Sequence, residues 1–309
     1  MKAIAAFFRL IRWPNLLFIV LTQMMFRYFI LDFAYQKNRP GYEEIELSSS
    51  LFFLLVLASV CIAAAGYIIN DYFDVNIDQI NRSSKVVIGT FINRRLAILL
   101  HAALSFIGFG LSLYIGYKLN NIYIPFFNFI AIVALWLYST TFKKKLLIGN
   151  ILISLLTAWV ILVLTIAEYR FRISAGDVAW QRLVKVSFIY AGFAFIISLV
   201  REVIKDMEDM EGDLKYGCTT MPIVWGLPVS KVFAGVWIVV LAGLIVAIQI
   251  YVIQFGWWYS ALYSLITIII PLVWVLRKLY EANTPVQFHK LSTVVKMIML
   301  AGILSMIFF

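Results

Sequence analysis

Histidine and cysteine are nearly missing from this chain: its 309 residues hold two of each. Cys61 and Cys218 lie far apart in unlike surroundings, which excludes a disulfide framework and a cysteine-based metal cluster and leaves packing roles. His101 falls in an apolar span and His289 in a loop, so both read as structural. No Ser, Cys or His cluster is available for nucleophilic catalysis. Charge is scarce as well, at 14% of residues against about 25% in a soluble domain. Alternating apolar and polar residues are absent, and the apolar runs are continuous, which excludes a β-barrel. Low-complexity tracts, long linkers and a second soluble domain are missing too. Lys2, Arg9 and Arg12 precede an apolar run as in a signal peptide, but no small-residue cleavage site follows Leu16 to Phe26. A retained first span is therefore expected.

What is present is apolar. Hydrophobic residues make up 63% of the chain and the mean hydropathy is +0.93. Several stretches reach the ~20 residues needed to cross a bilayer as a helix. The sequence predicts an all-α polytopic membrane protein, a single integral domain over residues 1–309. Nine spans are expected: Trp13–Ala34, Ser49–Ile69, Leu96–Tyr117, Ile122–Thr140, Leu147–Ala167, Val184–Val200, Val232–Ile253, Trp257–Trp274 and Leu291–Phe309. With the N-terminus inside, five cytoplasmic segments (1–12, 70–95, 141–146, 201–231 and 275–296) carry 18 of the 26 Lys and Arg residues. That bias orients the protein, and it accounts for the net charge of +10 without a nucleic-acid partner. Arg27, near the outer end of the first span, reads as a snorkelling side chain. The expected location is the cell's inner (plasma) membrane, with the site at its cytoplasmic face.

Nine of the sixteen acidic residues sit in two short windows. The first runs from Asn70 to Asp78 and contains Asp71, Asp74 and Asp78. The second runs from Arg201 to Asp213 and contains Asp206, Asp209 and Asp213. Both read D-x-x-D-x-x-x-D, and each aspartate of the second set follows its counterpart by 135 residues. Steps of three and four residues put each set on one helix face, where like charges repel. Acids concentrated against that cost are expected to hold cations. Glu208 and Glu211 fall off this face and are expected in solvent or paired with Lys205 or Lys215. The matched spacing, with each set at the cytoplasmic end of an even-numbered span, hints at two related halves around a central cavity.

Carboxylates without His or Cys suit hard, oxygen-seeking cations. Mg²⁺ in particular binds through a few carboxylates together with substrate phosphates. Arg82, Lys85, Lys143, Arg201 and Lys205 lie in the same or neighbouring cytoplasmic segments and are candidates for contacting phosphate oxygens, as is Asn70. A cationic, metal-binding mouth on an apolar helical bundle matches a prenyl diphosphate. The metal would stabilise the leaving diphosphate, an allylic carbocation would form in a dry aromatic pocket, and an acceptor nucleophile would attack C1.

At these residues the chain resembles the UbiA superfamily of intramembrane prenyltransferases. Asn70, Asp71, Asp74 and Asp78 match that family's N-D-x-x-D-x-x-x-D motif; Asp209 and Asp213, preceded by Asp206, match its second motif. The resemblance spans essentially the whole chain. It implies nine transmembrane helices, Mg²⁺ dependence and a lateral opening to membrane lipids. Within the family, the run Arg201-Glu202-Val203-Ile204-Lys205-Asp206-Met207-Glu208-Asp209 is similar to the branch that makes digeranylgeranylglyceryl phosphate. So are Tyr138-Ser139 leading to Lys143, Gly149-Asn150, and Arg12 with Asn15. That similarity implies transfer of geranylgeranyl to a hydroxyl of a lipid acceptor such as geranylgeranylglyceryl phosphate, with no obligate protein partner. The family's Asn-x-Pro-x-Arg-Pro segment reads Asn81-Arg82-Ser83-Ser84-Lys85-Val86 here, with both prolines gone and Lys85 in place of the arginine.

Three other readings share parts of this pattern. A terpene cyclase on the same fold would ionise the same diphosphate and close the cation on its own double bonds. An aromatic prenyltransferase would use a quinone or haem precursor. A Mg²⁺ channel or transporter would need acids at membrane depth on several helices. The D-G-x-x-A-R opening of CDP-alcohol phosphotransferases is absent.

Overall fold

The computed structural model describes residues 2–35, 45–81, 86–169 and 177–309. A short helix α1 (Lys2–Leu10) leads into α2 (Trp13–Tyr35), followed by α3 (Ser49–Asn81), α4 (Arg94–Lys118), α5 (Tyr123–Thr140) and α6 (Ile148–Ala167). Helices α7 (Val178–Lys215), α8 (Gly226–Ile253), α9 (Trp258–Glu281) and α10 (Pro285–Phe308) complete the chain. Among the described residues, nine of these, α2 to α10, are long and apolar enough to cross a membrane. That bears out the all-α, polytopic expectation. Backbone groups in hydrocarbon must bond within their own segment, and an uninterrupted helix is the local solution.

The expected spans stop short of several helices. α3 continues past Ile69 to Asn81, and α7 continues past Val200 to Lys215. Hydropathy ends where the polar residues begin, but the helical hydrogen-bond ladder does not. Both acidic windows are therefore continuous helix. α10 starts at Pro285 and not at Leu291, which moves His289 from the expected loop into a helix. The cause is a capping box: the Thr284 hydroxyl accepts the Gln287 N–H, while Gln287 Oε1 accepts the Thr284 N–H at 3.1 Å.

The helices pack into two compact units, Met1–Lys143 with Trp159–Phe188, and Lys144–Ala158 with Ile189–Phe309. Each carries one acidic set. In the first unit, Ile68 and Val75 of α3 join Leu10, Ile11, Leu16, Val87 and Ile88 in a core. Burying that side of α3 leaves Asp71, Asp74 and Asp78 half-buried on another side. In the second unit, Val200, Val203, Ile204 and Met207 of α7 pack with Leu272, Val275, Val295 and Ile298. Asp206, Asp209 and Asp213 again escape the core face and are half-buried.

Candidate active site

In the first unit, Asp71 and Asp74 are each met by a cation, and Asp74 by an amide as well. Arg12 Nη2 donates to Asp71 Oδ1 at 2.6 Å. Its guanidinium also lies over the Tyr67 ring, 5.2 Å from the centroid. Tyr67 and Asp71 are one turn apart on α3, so a single arginine spans both. Asp78 lies within electrostatic reach of the same group. Burial opposes the charge on Arg12, but Asp71, Tyr67 and Asp78 outweigh it and hold the guanidinium firmly protonated. Arg12 occupies a left-handed backbone conformation (φ 50°, ψ 52°) as the residue preceding α2. A non-glycine residue held there stores strain, which is common at functional sites.

Asp74 takes two donors. Asn70 Nδ2 donates to Oδ2 at 2.8 Å, and the Lys143 ammonium contacts Oδ1. Lys143 is half-buried, whereas its neighbours Lys144 and Lys145 are exposed. With its nitrogen on Asp74, Asn70 leaves its Oδ1 buried and without a hydrogen-bond partner. An orphaned amide oxygen beside carboxylates is the donor chemistry a hard cation requires. The residues around α3 therefore fit Mg²⁺. Among the described residues no three Asp, Glu, His or Cys side chains form a metal-holding group. In the first set, Asp71 and Asp74 are paired with Arg12 and Lys143.

In the second unit, Asn150 Nδ2 donates to Asp206 Oδ2 at 2.8 Å. Asn150 is itself fixed on α6, where its carbonyl accepts the Ser154 hydroxyl at 2.6 Å. Arg201 and Lys205 share the Glu202 carboxylate, at 2.9 and 3.4 Å. Asp209 and Asp213 stand on the same helix, each engaged with neighbours. One expectation changes here and one holds. Glu208 pairs with His289 Nδ1 at 2.9 Å, not with Lys205; the earlier start of α10 brings the histidine to it. Glu211 pairs with Lys215, and that contact is exposed.

Of the expected site residues, Asn70, Asp71, Asp74, Asp78 and Lys143 lie together in the first unit, and Arg201, Lys205, Asp206, Asp209 and Asp213 in the second. Arg82 and Lys85 lie outside the described residues. Arg12, Asn150 and Glu202 contact expected site residues and were not counted among them. The signal for the first two was present in Arg12-x-x-Asn15 and Gly149-Asn150.

The sequence model of the UbiA prenyltransferase family matches residues 42–297. The digeranylgeranylglyceryl phosphate synthase of Methanocaldococcus jannaschii is 32% identical over 268 residues, covering 85% of either chain. That of Methanothermobacter thermautotrophicus is 35% identical over 189 residues, and this alignment covers 59% of each protein. The chain thus spans less than two thirds of the length of several relatives it matches. A solved digeranylgeranylglyceryl phosphate synthase has the same fold, with TM-score 0.64 at 24% identity over 99% of both chains. So does a UbiA homologue from Archaeoglobus fulgidus bound to DMAPP and Mg²⁺, with TM-score 0.57 at 14% identity over 97% of this chain and 98% of that one.

Proposed function

Because the chain belongs to the UbiA prenyltransferase family, we propose that it transfers a prenyl group, geranylgeranyl, from its diphosphate to a hydroxyl of a lipid acceptor such as geranylgeranylglyceryl phosphate. The names of the synthases in Methanocaldococcus and Methanothermobacter support the acceptor class. The diphosphate and Mg²⁺ held by the Archaeoglobus homologue support the donor and the metal. The observation that carries the reading is the group on α3: Asp74 bound by Lys143 and Asn70, with the Asn70 oxygen left over.

Asp71, Asp74 and Asp78, with Asn70, are the residues that would hold Mg²⁺ in the first unit; Asp206, Asp209 and Asp213 are those of the second. Bound there, the cation supplies neutralisation of the charge that builds on the departing diphosphate. Arg12 and Lys143 neutralise Asp71 and Asp74 in its absence. Their charge suits them to contact phosphate oxygens once those carboxylates are otherwise engaged. The C1–O bond breaks and its electron pair leaves with the diphosphate. The acceptor oxygen attacks C1 of the allylic cation and loses its proton, giving an ether. We place this chemistry at the cytoplasmic face of the plasma membrane, on the distribution of Lys and Arg.

The test is radiolabelled prenyl transfer in membranes, with a panel of diphosphates and acceptors. An ether product that depends on acceptor and Mg²⁺ is expected. A cyclic hydrocarbon formed from the diphosphate alone would identify a cyclase and overturn the reading.

A further inference from the structure

α1 is too short to span a membrane: nine residues reach about 14 Å at 1.5 Å per residue, half of the ~30 Å hydrocarbon layer. It packs where α3 leaves its apolar stretch. Ala6, Leu10 and Ile11 share a core with Ile68 and Val75 of α3, Val87, Ile88 and Ile92 of the following segment, and Ala97 of α4. That level is the edge of the bilayer, on the side of Asp71. The ladder of α1 closes at Arg12, whose N–H donates to the Arg9 carbonyl at 3.0 Å. The Arg12 carbonyl accepts the Asn15 N–H at 2.8 Å and so begins α2. Between these bonds the left-handed Arg12 interrupts the helical path, and α1 does not continue the axis of α2.

Three kinds of surface run along α1. Ala6 and Leu10, four residues apart, are buried. Ile4 and Phe8, also four apart, form an apolar stripe that is 64% and 49% exposed. Arg9 falls between the two stripes and is exposed. The next exposed apolar residues, Trp13 and Leu17, stand on the first turns of α2, where a spanning helix enters lipid, and tryptophan favours that boundary. The first acid of the chain is Asp32, so no carboxylate in this stretch repels a phosphate headgroup. We propose that α1 lies along the membrane surface, with Ile4 and Phe8 among the acyl chains and Arg9 at the level of the phosphate headgroups. A helix with one packed side, one apolar side and a basic edge fits that boundary. Because α1 ends in the turn of Arg12, its anchorage also fixes the point from which that guanidinium reaches Asp71.

The experiment places the full chain in vesicles of phosphatidylcholine and phosphatidylglycerol. Single cysteines at Ile4, Phe8 and Arg9 are labelled with bimane. Phe106→Cys on α4 serves as the lipid-facing reference and Lys144→Cys as the aqueous one, since both positions are exposed. Cys61 and Cys218 are buried, and the unsubstituted protein gives their background. Fluorescence is quenched either by lipids brominated on the acyl chains or by iodide. Melting temperatures at the unsubstituted value check the fold, and Ile4 and Phe8 report independently. We expect the labels at Ile4 and Phe8 to follow Phe106, quenched by the brominated chains and shielded from iodide. The label at Arg9 should be reached by iodide and quenched less by the chains. The proposal is overturned if iodide reaches Ile4 and Phe8 as readily as Lys144. It is equally overturned if neither quencher reaches them, which would mean that protein covers the stripe, or if Arg9 is quenched by the chains as strongly as Phe8. No readout uses prenyl transfer, so failure of the transferase reading leaves this test intact.

Discussion

The ammonium of Lys143 rests on the carboxylate of Asp74, while Lys144 and Lys145 face outward. Only one of three consecutive cations is therefore aimed at the acidic helix. Lys143→Gln keeps an amide donor for Asp74 but removes a charge-assisted contact worth roughly 1.5–3 kcal/mol. The kcat/KM for prenyl transfer should fall about ten- to a hundredfold, at about 1.4 kcal/mol per decade. Lys144→Gln and Lys145→Gln should stay near wild type. Equal, small losses in all three would reduce the run to a signal for membrane orientation.

Alanine at Asp71, Asp74 or Asp209 should remove most activity even at saturating Mg²⁺; wild-type turnover in Asp74→Ala would end its proposed role. Stability should separate the first two. The sequence reading has these acids repelling one another, so that removing one relieves strain. Here they are paired, and the pairs differ in burial: Lys143 and Asp74 are 10% and 15% exposed, Arg12 and Asp71 33% and 20%. Stranding one partner of a buried pair costs about 3–5 kcal/mol, whereas exposed pairs contribute about 0–1 kcal/mol. The melting temperature should drop further for Asp74→Ala than for Asp71→Ala.

Arg12 offers a test of backbone strain. Both Arg12→Ala and Arg12→Gly lose the contact to Asp71, but only glycine accepts φ 50° without penalty. Arg12→Gly should be the more stable by about 1–2 kcal/mol. Equal melting temperatures would show that the left-handed turn relaxes once the side chain is gone.

Glu168, just beyond α6, accepts the N–H groups of Glu46 and Leu47, each at 3.0 Å. Burial pushes its carboxyl above the ordinary value, against those two bonds and the pull of Arg27 and Tyr35. The folded protein then binds a proton that the unfolded chain has released, so stability should fall as pH rises from about 4.5 to the raised value and level off above it. Melting temperature against pH should show that slope in the wild type and lose it in Glu168→Gln. A slope that persists in the variant would assign it to another group.

The nine spans and both motifs could be read from the sequence because hydropathy and three-four spacing are local properties. Partners were not, because they depend on packing. Asp71 meets Arg12 across 59 positions, Asp206 meets Asn150 across 56, and Glu208 meets His289 across 81. Lys231 shows the same limit. Counted among the loop charges, it is buried in α8, where it donates to the Tyr280 carbonyl at 3.2 Å and to Asn283 Oδ1 at 3.0 Å, capping the end of α9. Residue type predicts a lysine in solvent; only tertiary structure supplies the acceptors that let it stay inside.

Both acidic sets ride on unbroken helix, α3 for 33 residues and α7 for 38. Ordering a flexible loop residue costs roughly 1–2 kcal/mol in backbone entropy, and a ligand that had to organise seven or eight such residues would lose much of its affinity to that task. On these helices the cost is met when the chain folds. Capture of the metal–diphosphate by either set should therefore resemble docking onto a rigid rail, with affinity set by oxygen geometry and charge and little entropy lost in the backbone that carries them.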